Sequence, residues 1–173
     1  PPSALLYDGR VLRSWWPPQT FDVEGGQWTD TGTMVQPNRF WPGHCDHMLV
    51  VLPDGRAGAV GVFRGSLTDP SMIELYNPGT STWSLGANAS VTRSQPEVVM
   101  LPTGQVFVAG GKLEDNNPSV SVNAWGQTKL TDIYDPLSDS WRRCADMAWH
   151  REYHAVTVLV PDGRVVTTAG TGG

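Results

Sequence analysis

Tyr153-His154-Ala155-Val156-Thr157-Val158-Leu159-Val160-Pro161-Asp162-Gly163-Arg164-Val165-Val166-Thr167-Thr168-Ala169-Gly170-Thr171-Gly172-Gly173 is the stretch that decides the fold. Ala155, Thr157 and Leu159 alternate with Val156, Val158 and Val160, a run of good strand formers. Pro161-Asp162-Gly163 supplies a tight turn, because glycine accepts a positive φ without steric cost and aspartate suits its neighbourhood. A second β-rich run, Val165 to Ala169, follows at once. The stretch reads as a hairpin, and the same hairpin occurs earlier in the chain.

Working outward, four turn signals recur between apolar runs: Asp8-Gly9, Asp54-Gly55, Thr103-Gly104 and Asp162-Gly163. The expected upstream strands are Ser3 to Tyr7, Met48 to Leu52, Val98 to Leu101 and Ala155 to Val160. Downstream lie Val11-Leu12, Ala57 to Val62, Val106 to Ala109 and Val165 to Ala169. Arg10, Arg56 and Arg164 follow three of the turns, and Gln105 follows the other. After each of the first three hairpins comes an aromatic, a turn and a tryptophan: Phe21…Trp28, Tyr76-Asn77-Pro78…Trp83 and Tyr134-Asp135-Pro136…Trp141. The two bulky residues stand seven apart each time, which predicts a second hairpin filling an equivalent packing site in every copy.

Composition agrees with this reading. The 173 residues include 19 Gly and 14 Pro but only 17% charged side chains, suiting an all-β chain rich in turns. Eight Trp give thin β layers large apolar plugs with a polar edge. A formal charge of −5 without a Lys/Arg run argues against nucleic acid or an anionic membrane surface as partner. No apolar stretch has membrane-spanning length, and the chain opens on Pro1-Pro2, which reads as a processed or excised piece. Cys45 and Cys144 are too few for a disulfide framework; a secreted chain joins them in one bridge, and otherwise they are free thiols. Asn88-Ala89-Ser90 is a glycosylation sequon, meaningful in a secreted protein.

Each unit supplies about four short strands over roughly 45 to 60 residues, the period of propeller blades. The expected blades are 1–43, 44–94, 95–152 and an incomplete 153–173. Gaps between the second and third strands lengthen along the chain. Lys112 to Lys129, with Asn116-Asn117-Pro118 and Trp125, is an excursion of the kind that carries binding.

Gly110-Gly111, Tyr134-Asp135-Pro136 and Trp141 closely resemble the kelch pattern. Gly61-Val62, Gly170-Thr171 and Ser14-Trp15 are degenerate versions of its glycine pair. The Leu52 to Arg56 turn, Leu-Pro-Asp-Gly-Arg, and its near-copy Val160 to Arg164 resemble most the galactose oxidase and glyoxal oxidase group. The resemblance implies a kelch-type β-propeller segment of about three and a half blades, half of a seven-bladed ring. An open arc exposes blade faces and strand edges, so remaining blades, from the same polypeptide or other chains, are the expected partners.

The resemblance also implies a question about copper. In the resembling oxidases two Tyr and two His hold copper, and one Tyr, thioether-linked to Cys, becomes a radical. Arg151-Glu152-Tyr153-His154 matches the Tyr-His pair that heads one blade. Carried over, Tyr153 is the axial ligand and, in a working oxidase, the catalytic tyrosine, with His154 an equatorial one. The competing reading is a histidine hydrogen-bonded within the propeller. Arg93-Ser94-Gln95-Pro96 matches the segment of the radical Tyr, and Gln95 stands in its place; an amide forms neither a stable radical nor a thioether. In Phe40-Trp41-Pro42-Gly43-His44, Trp41 replaces the partner Cys, and Cys45 comes four residues late.

Elsewhere, His44-Cys45-Asp46-His47 offers at most two donors on one strand face, too few for a tight metal site. Glu114-Asp115 reads as a solvated loop. No nucleophile–base constellation or phosphate loop stands out; Gly170 to Gly173 lacks the lysine and helix such a loop needs. The favoured expectation is a non-catalytic structural or adhesive segment of an extracellular glycoprotein, with no cofactor. The alternatives are part of a copper oxidase acting on alcohols or aldehydes with peroxide production, and a kelch module binding a protein or glycan through the Lys112–Lys129 loop.

Overall fold

The computed structural model of the chain describes residues 2–36, 40–41, 44–45, 47–62, 71–113, 120–152 and 154–170, with backbone alone at 40, 41, 44 and 45. Among them there is no helix, and the strands form antiparallel sheets. The first sheet is a meander of β1 (Ser3–Leu5), β2 (Val11–Arg13), β3 (Gln19–Asp22) and β4 (Gln27–Asp30). A short pair, β5 (Phe40–Trp41) and β6 (His44–Cys45), precedes the second meander, β7 (Met48–Val51), β8 (Ala57–Val60), β9 (Ile73–Asn77) and β10 (Thr82–Leu85). Beyond β11 (Arg93–Ser94), the third meander joins β12 (Glu97–Met100), β13 (Val106–Ala109), β15 (Thr131–Asp135) and β16 (Ser140–Arg143). Its excursion contributes β14 (Lys112–Leu113), which pairs with β11. The last sheet is the hairpin β17 (Ala155–Leu159) and β18 (Val165–Ala169).

The four recurring turns are copies of one another. Gly9, Gly55, Gly104 and Gly163 have φ of 87°, 88°, 81° and 85°, a region open to glycine. Asp8, Asp54 and Asp162 each accept a backbone N–H from the arginine two residues on, at 3.0, 3.0 and 3.1 Å, closing an Asx turn. The upstream strands stop one or two residues short of, or shifted from, the sequence expectation. Leu6, Leu52, Leu101 and Val160 spend their N–H groups on the carbonyls of Arg10, Arg56, Gln105 and Arg164, so they close the turn.

The aromatic–tryptophan spacing resolves into one cross-strand pair per meander. Phe21 faces Trp28, Tyr76 faces Trp83 and Tyr134 faces Trp141 in register. Their ring centroids are 5.0, 5.1 and 5.0 Å apart, at 43°, 42° and 45°. Each aromatic also sits opposite the first residue of the second strand: Val11, Ala57 and Val106.

The apolar core lies between sheets. Leu6, Leu12 and Met34 of the first pack with Ala57, Ala59, Tyr76 and Trp83 of the second. Val50, Leu52, Val60, Met72, Ile73 and Leu75 of the second pack with Val106, Val108 and Tyr134 of the third. The first strands β1, β7, β12 and β17 lie beside one another in sequence. Sheets stacked face to face with their first strands adjacent are arranged as propeller blades.

Candidate functional site

The segments that lead into β7, β12 and β17 carry the polar residues singled out in the sequence, and the preceding meander holds each one. Val62 N–H donates to the Arg93 carbonyl at 3.0 Å, and Gly111 N–H to the Arg151 carbonyl at 2.8 Å. The Gly110-Gly111 pair is needed here: a Cβ on Gly110 would collide with the Arg151 carbonyl, and one on Gly111 would lie 2.7 Å from that of Ser94. The first meander uses side chains instead, with Ser14 Oγ 2.7 Å from His47 Nε2, both buried. His47 is thus held within the propeller.

Arg93 is fully buried and binds Asp132 Oδ2 through Nη2 at 2.6 Å, with Arg143 Nη1 3.5 Å from the same oxygen. Burial pushes the Arg93 guanidinium down to about 10, with Asp132 opposing the shift. Its Nε and Nη1 have no hydrogen-bond partner among the described residues. Two residues on, Gln95 has φ 49°, and its Oε1 is buried without such a partner among the described residues. The position matching the radical tyrosine therefore holds an amide in a left-handed backbone, two residues along the chain from a buried arginine.

At the start of β17, Glu152 is buried and accepts Gln127 Nε2 at 3.2 Å. Gln127 Oε1 accepts Asn123 Nδ2 at 2.7 Å, and Asn123 Oδ1 accepts the N–H groups of Trp125 and Gln127, each at 3.0 Å. Thr128 N–H reaches the Gly111 carbonyl at 3.0 Å, and Arg151 N–H the Thr128 carbonyl at 3.1 Å. The later half of the Lys112–Lys129 excursion is thereby tied down, with Trp125 exposed in the turn between Asn123 and Gln127. His154 is exposed with φ 63°. Tyr153, Asp46, Glu114 and Asp115 lie outside the described residues, as do the side chains of Trp41, His44 and Cys45. Cys144 has a free, half-buried thiol, so the expected pairing with Cys45 falls outside the described side chains. Asn88 is exposed beside β10, at a bridge to Ser71.

Sequence reasoning missed several pairs. Arg93–Asp132 spans 39 positions, and Ser14–His47 spans 33. Buried Glu74 accepts the N–H groups of Val35 and Gln36. Arg10 Nη2 crosses to the Pro78 carbonyl at 2.8 Å, and Arg56 Nη2 to that of Pro136 at 3.3 Å, so each latches its turn onto the next meander. The arginine after each turn was visible in the sequence as a repeat, but its acceptor was not.

Stacked four-stranded meanders, each with a Tyr/Phe–Trp pair and a glycine-turn hairpin, define a kelch-type β-propeller segment. No family model matches the chain. Kelch-like ECH-associated protein 1B of Danio rerio is 30% identical over 113 residues, covering 65% of this chain and 17% of that protein. Galactose oxidase of Gibberella zeae is 29% identical over 135 residues, 69% of this chain and 18% of the enzyme. The chain is a kelch-type propeller module related to galactose oxidase, and it spans less than a fifth of the length of these relatives.

Proposed function

We propose that the chain is a non-catalytic propeller segment of an extracellular protein related to the copper radical oxidases, with a structural or adhesive role. Gln95 carries this reading. A radical oxidase needs an oxidisable phenol there, and the amide supplies none. The donor set does not fit the copper centre either. Tyr153 and His154 match two ligand positions, while the third holds the Gln95 amide in a left-handed backbone. The exposed sequon at Asn88 is consistent with an extracellular glycoprotein. On the same reading the arc is half of a seven-bladed ring closed by further blades, with units at 1–43, 44–94, 95–152 and 153–173.

The kinship with galactose oxidase favours one competitor, part of a copper-dependent oxidase, galactose- or glyoxal-oxidase-like, using Tyr153, His154 and Cys45. Copper titration followed by electron paramagnetic resonance separates the two. The non-catalytic reading expects no stoichiometric type 2 copper signal, and peptide mass mapping expects no tyrosine–cysteine thioether; either one present contradicts it. The kinship with a kelch-like, ECH-associated protein favours a module that interacts with other proteins. Exposed Trp125, held by Asn123, Gln127 and Glu152, is the contact we assign to such a partner or a glycan.

A further inference from the structure

The first and second meanders meet at one seam, and the second and third meet at another built from equivalent turns. Tyr7 and Pro53 each precede the aspartate of a glycine turn, and each lies against the turn glycine of the next meander. A Cβ on Gly55 would lie 3.9 Å from the Tyr7 ring, and one on Gly104 would lie 3.1 Å from Pro53 Cγ. Asn77 and Asp135 also correspond, each opening the turn between the third and fourth strands. Asn77 Oδ1 accepts the Gly79 N–H at 2.9 Å, and Asp135 Oδ1 accepts the Leu137 N–H at 2.9 Å. The backbone is closed in the same way at both seams, so differences between them lie in the side chains.

At the first seam the charges balance: Asp8 pairs with Arg10, Asp54 pairs with Arg56, and Asn77 is neutral. At the second, Asp54 again pairs with Arg56, but the third meander's turn carries neutral Thr103 and Gln105 while Asp135 replaces the asparagine. Asp135 has no ion pair among the described residues; its Oδ2 accepts the Gln105 amide at 2.9 Å. That bond, with the Leu137 N–H, holds the Asp135 carboxyl below the usual carboxylate range, so its charge is present at neutral pH. The seams also differ in shape. Pro53 stands where the first seam has the Tyr7 ring, and a cleft of about 370 Å³ lies between these turns. Pro53, Pro136 and Leu137 give it apolar walls, and Asp54 and Asp135 its carboxylates. Leu137 is 92% exposed, where the second meander has Gly79. Every wall belongs to the second or third meander, so the cleft is whole within the described residues. It opens at the start of β13, the opposite end of that strand from the Lys112–Lys129 excursion.

We propose that this cleft docks an arginine side chain presented by a partner protein. The guanidinium brings a rigid fork of N–H donors to the carboxylate of Asp135, whose charge no cation of this chain offsets. Its weakly hydrated faces and its methylene stem lie against the two proline rings and Leu137. The unbalanced charge supplies the complementarity that selects a cation over a neutral side chain of the same shape. The balanced first seam offers no such preference.

The probe is a blocked tripeptide, alanyl-arginyl-alanine amide, titrated into the isotope-labelled 173-residue chain and followed by amide NMR shifts. Saturable shifts are expected at Gly104, Gln105 and Leu137, with a Kd on the order of 1 mM for a single side chain. The citrulline peptide, which keeps the shape and loses the charge, should bind at least tenfold more weakly, and the lysine peptide at least threefold more weakly. Asp135→Asn installs the residue that the second meander uses in the same turn, and should weaken binding at least fivefold. Gln105→Arg restores the arginine of the other turns beside Asp135, and should weaken it at least as much. Gly55 and Asn77, at the first seam, should not shift. Absence of saturable shifts, citrulline binding within twofold of arginine, or full binding by Asp135→Asn overturns the proposal. So does an equal response at Gly55 and Asn77, which would mark a general attraction to a chain of net charge −5. Lysine binding as tightly as arginine overturns the choice of arginine. The citrulline comparison is made on the unaltered chain, so it decides the matter even where a variant misfolds.

Discussion

Trp83 and Trp28 occupy the same place in the same hairpin, yet Trp83 is 8% exposed and Trp28 is 49% exposed. Both stack on their cross-strand aromatic at the same distance and tilt. The difference is the neighbour: Trp83 is covered by the first meander and bonded to Thr31, whereas outside its own hairpin Trp28 has, among the described residues, the Arg13 guanidinium 4.8 Å from its ring centroid. The turn arginines make the same point. Arg10 and Arg56, latched to the next meander, have side chains 30% and 29% exposed; Arg164, held among the described residues by Asp162 alone, is 82% exposed. A blade makes its own hairpins, but its neighbours bury them. Stability in such an array is a sum of interface terms, so identical residues differ in worth by whether an interface covers them.

Substituting the paired tryptophans breaks the comparison most sharply. Trp83→Ala is expected to cost about 3–5 kcal/mol of unfolding free energy, and Trp28→Ala less than about 1 kcal/mol, by urea unfolding. Equal costs would mean that packing within the blade, not between blades, sets the value. Next comes the buried ion pair that joins the segment leading into the third meander, at Arg93, to that meander's own β15, at Asp132. Asp132→Ala strands a fully buried guanidinium and should cost about 3 kcal/mol, whereas Arg93→Met combined with Asp132→Leu should recover most of that loss. Arg56→Ala removes one latch and is expected to lower stability by about 1 kcal/mol, while Arg164→Ala leaves the melting temperature unchanged.

The smallest effect is at Glu97, the first residue of β12, whose carboxyl is pushed up by burial. The native state then holds this proton to higher pH than the unfolded chain. Stability is lost as pH rises from the ordinary carboxylate value through the raised one. Glu97→Gln should therefore raise the melting temperature by about a degree or two near neutral pH and change nothing below about pH 4.

Much of the fold was legible because its signals are local and repeat in phase. A positive-φ glycine at each turn, and two bulky residues seven apart, fix the hairpins and their register without reference to distant residues. The kelch likeness followed from Gly110-Gly111 and Tyr134-Asp135-Pro136. What was not legible joins positions far apart. Arg93 looked like part of a lost copper motif, and only the folded chain brings Asp132 to it. His47 read as part of a polar strand start too poor in same-face donors for a metal, and only the folded chain brings Ser14 to it. The two-residue strands β5, β6, β11 and β14 are too short to leave an alternation pattern. At the candidate site, the replacement at Gln95 was readable as chemistry, but its left-handed backbone and buried carbonyl were not.

The claim that neighbouring blades, and not the blade itself, complete each hairpin layer is tested most directly by amide hydrogen exchange on the unmodified chain. The account predicts slow exchange along β8 and β13, which are paired on both edges, and exchange at least a hundredfold faster at the amides of Val165–Ala169 not bonded to β17. Equal protection of β18 with β8 and β13 would contradict it.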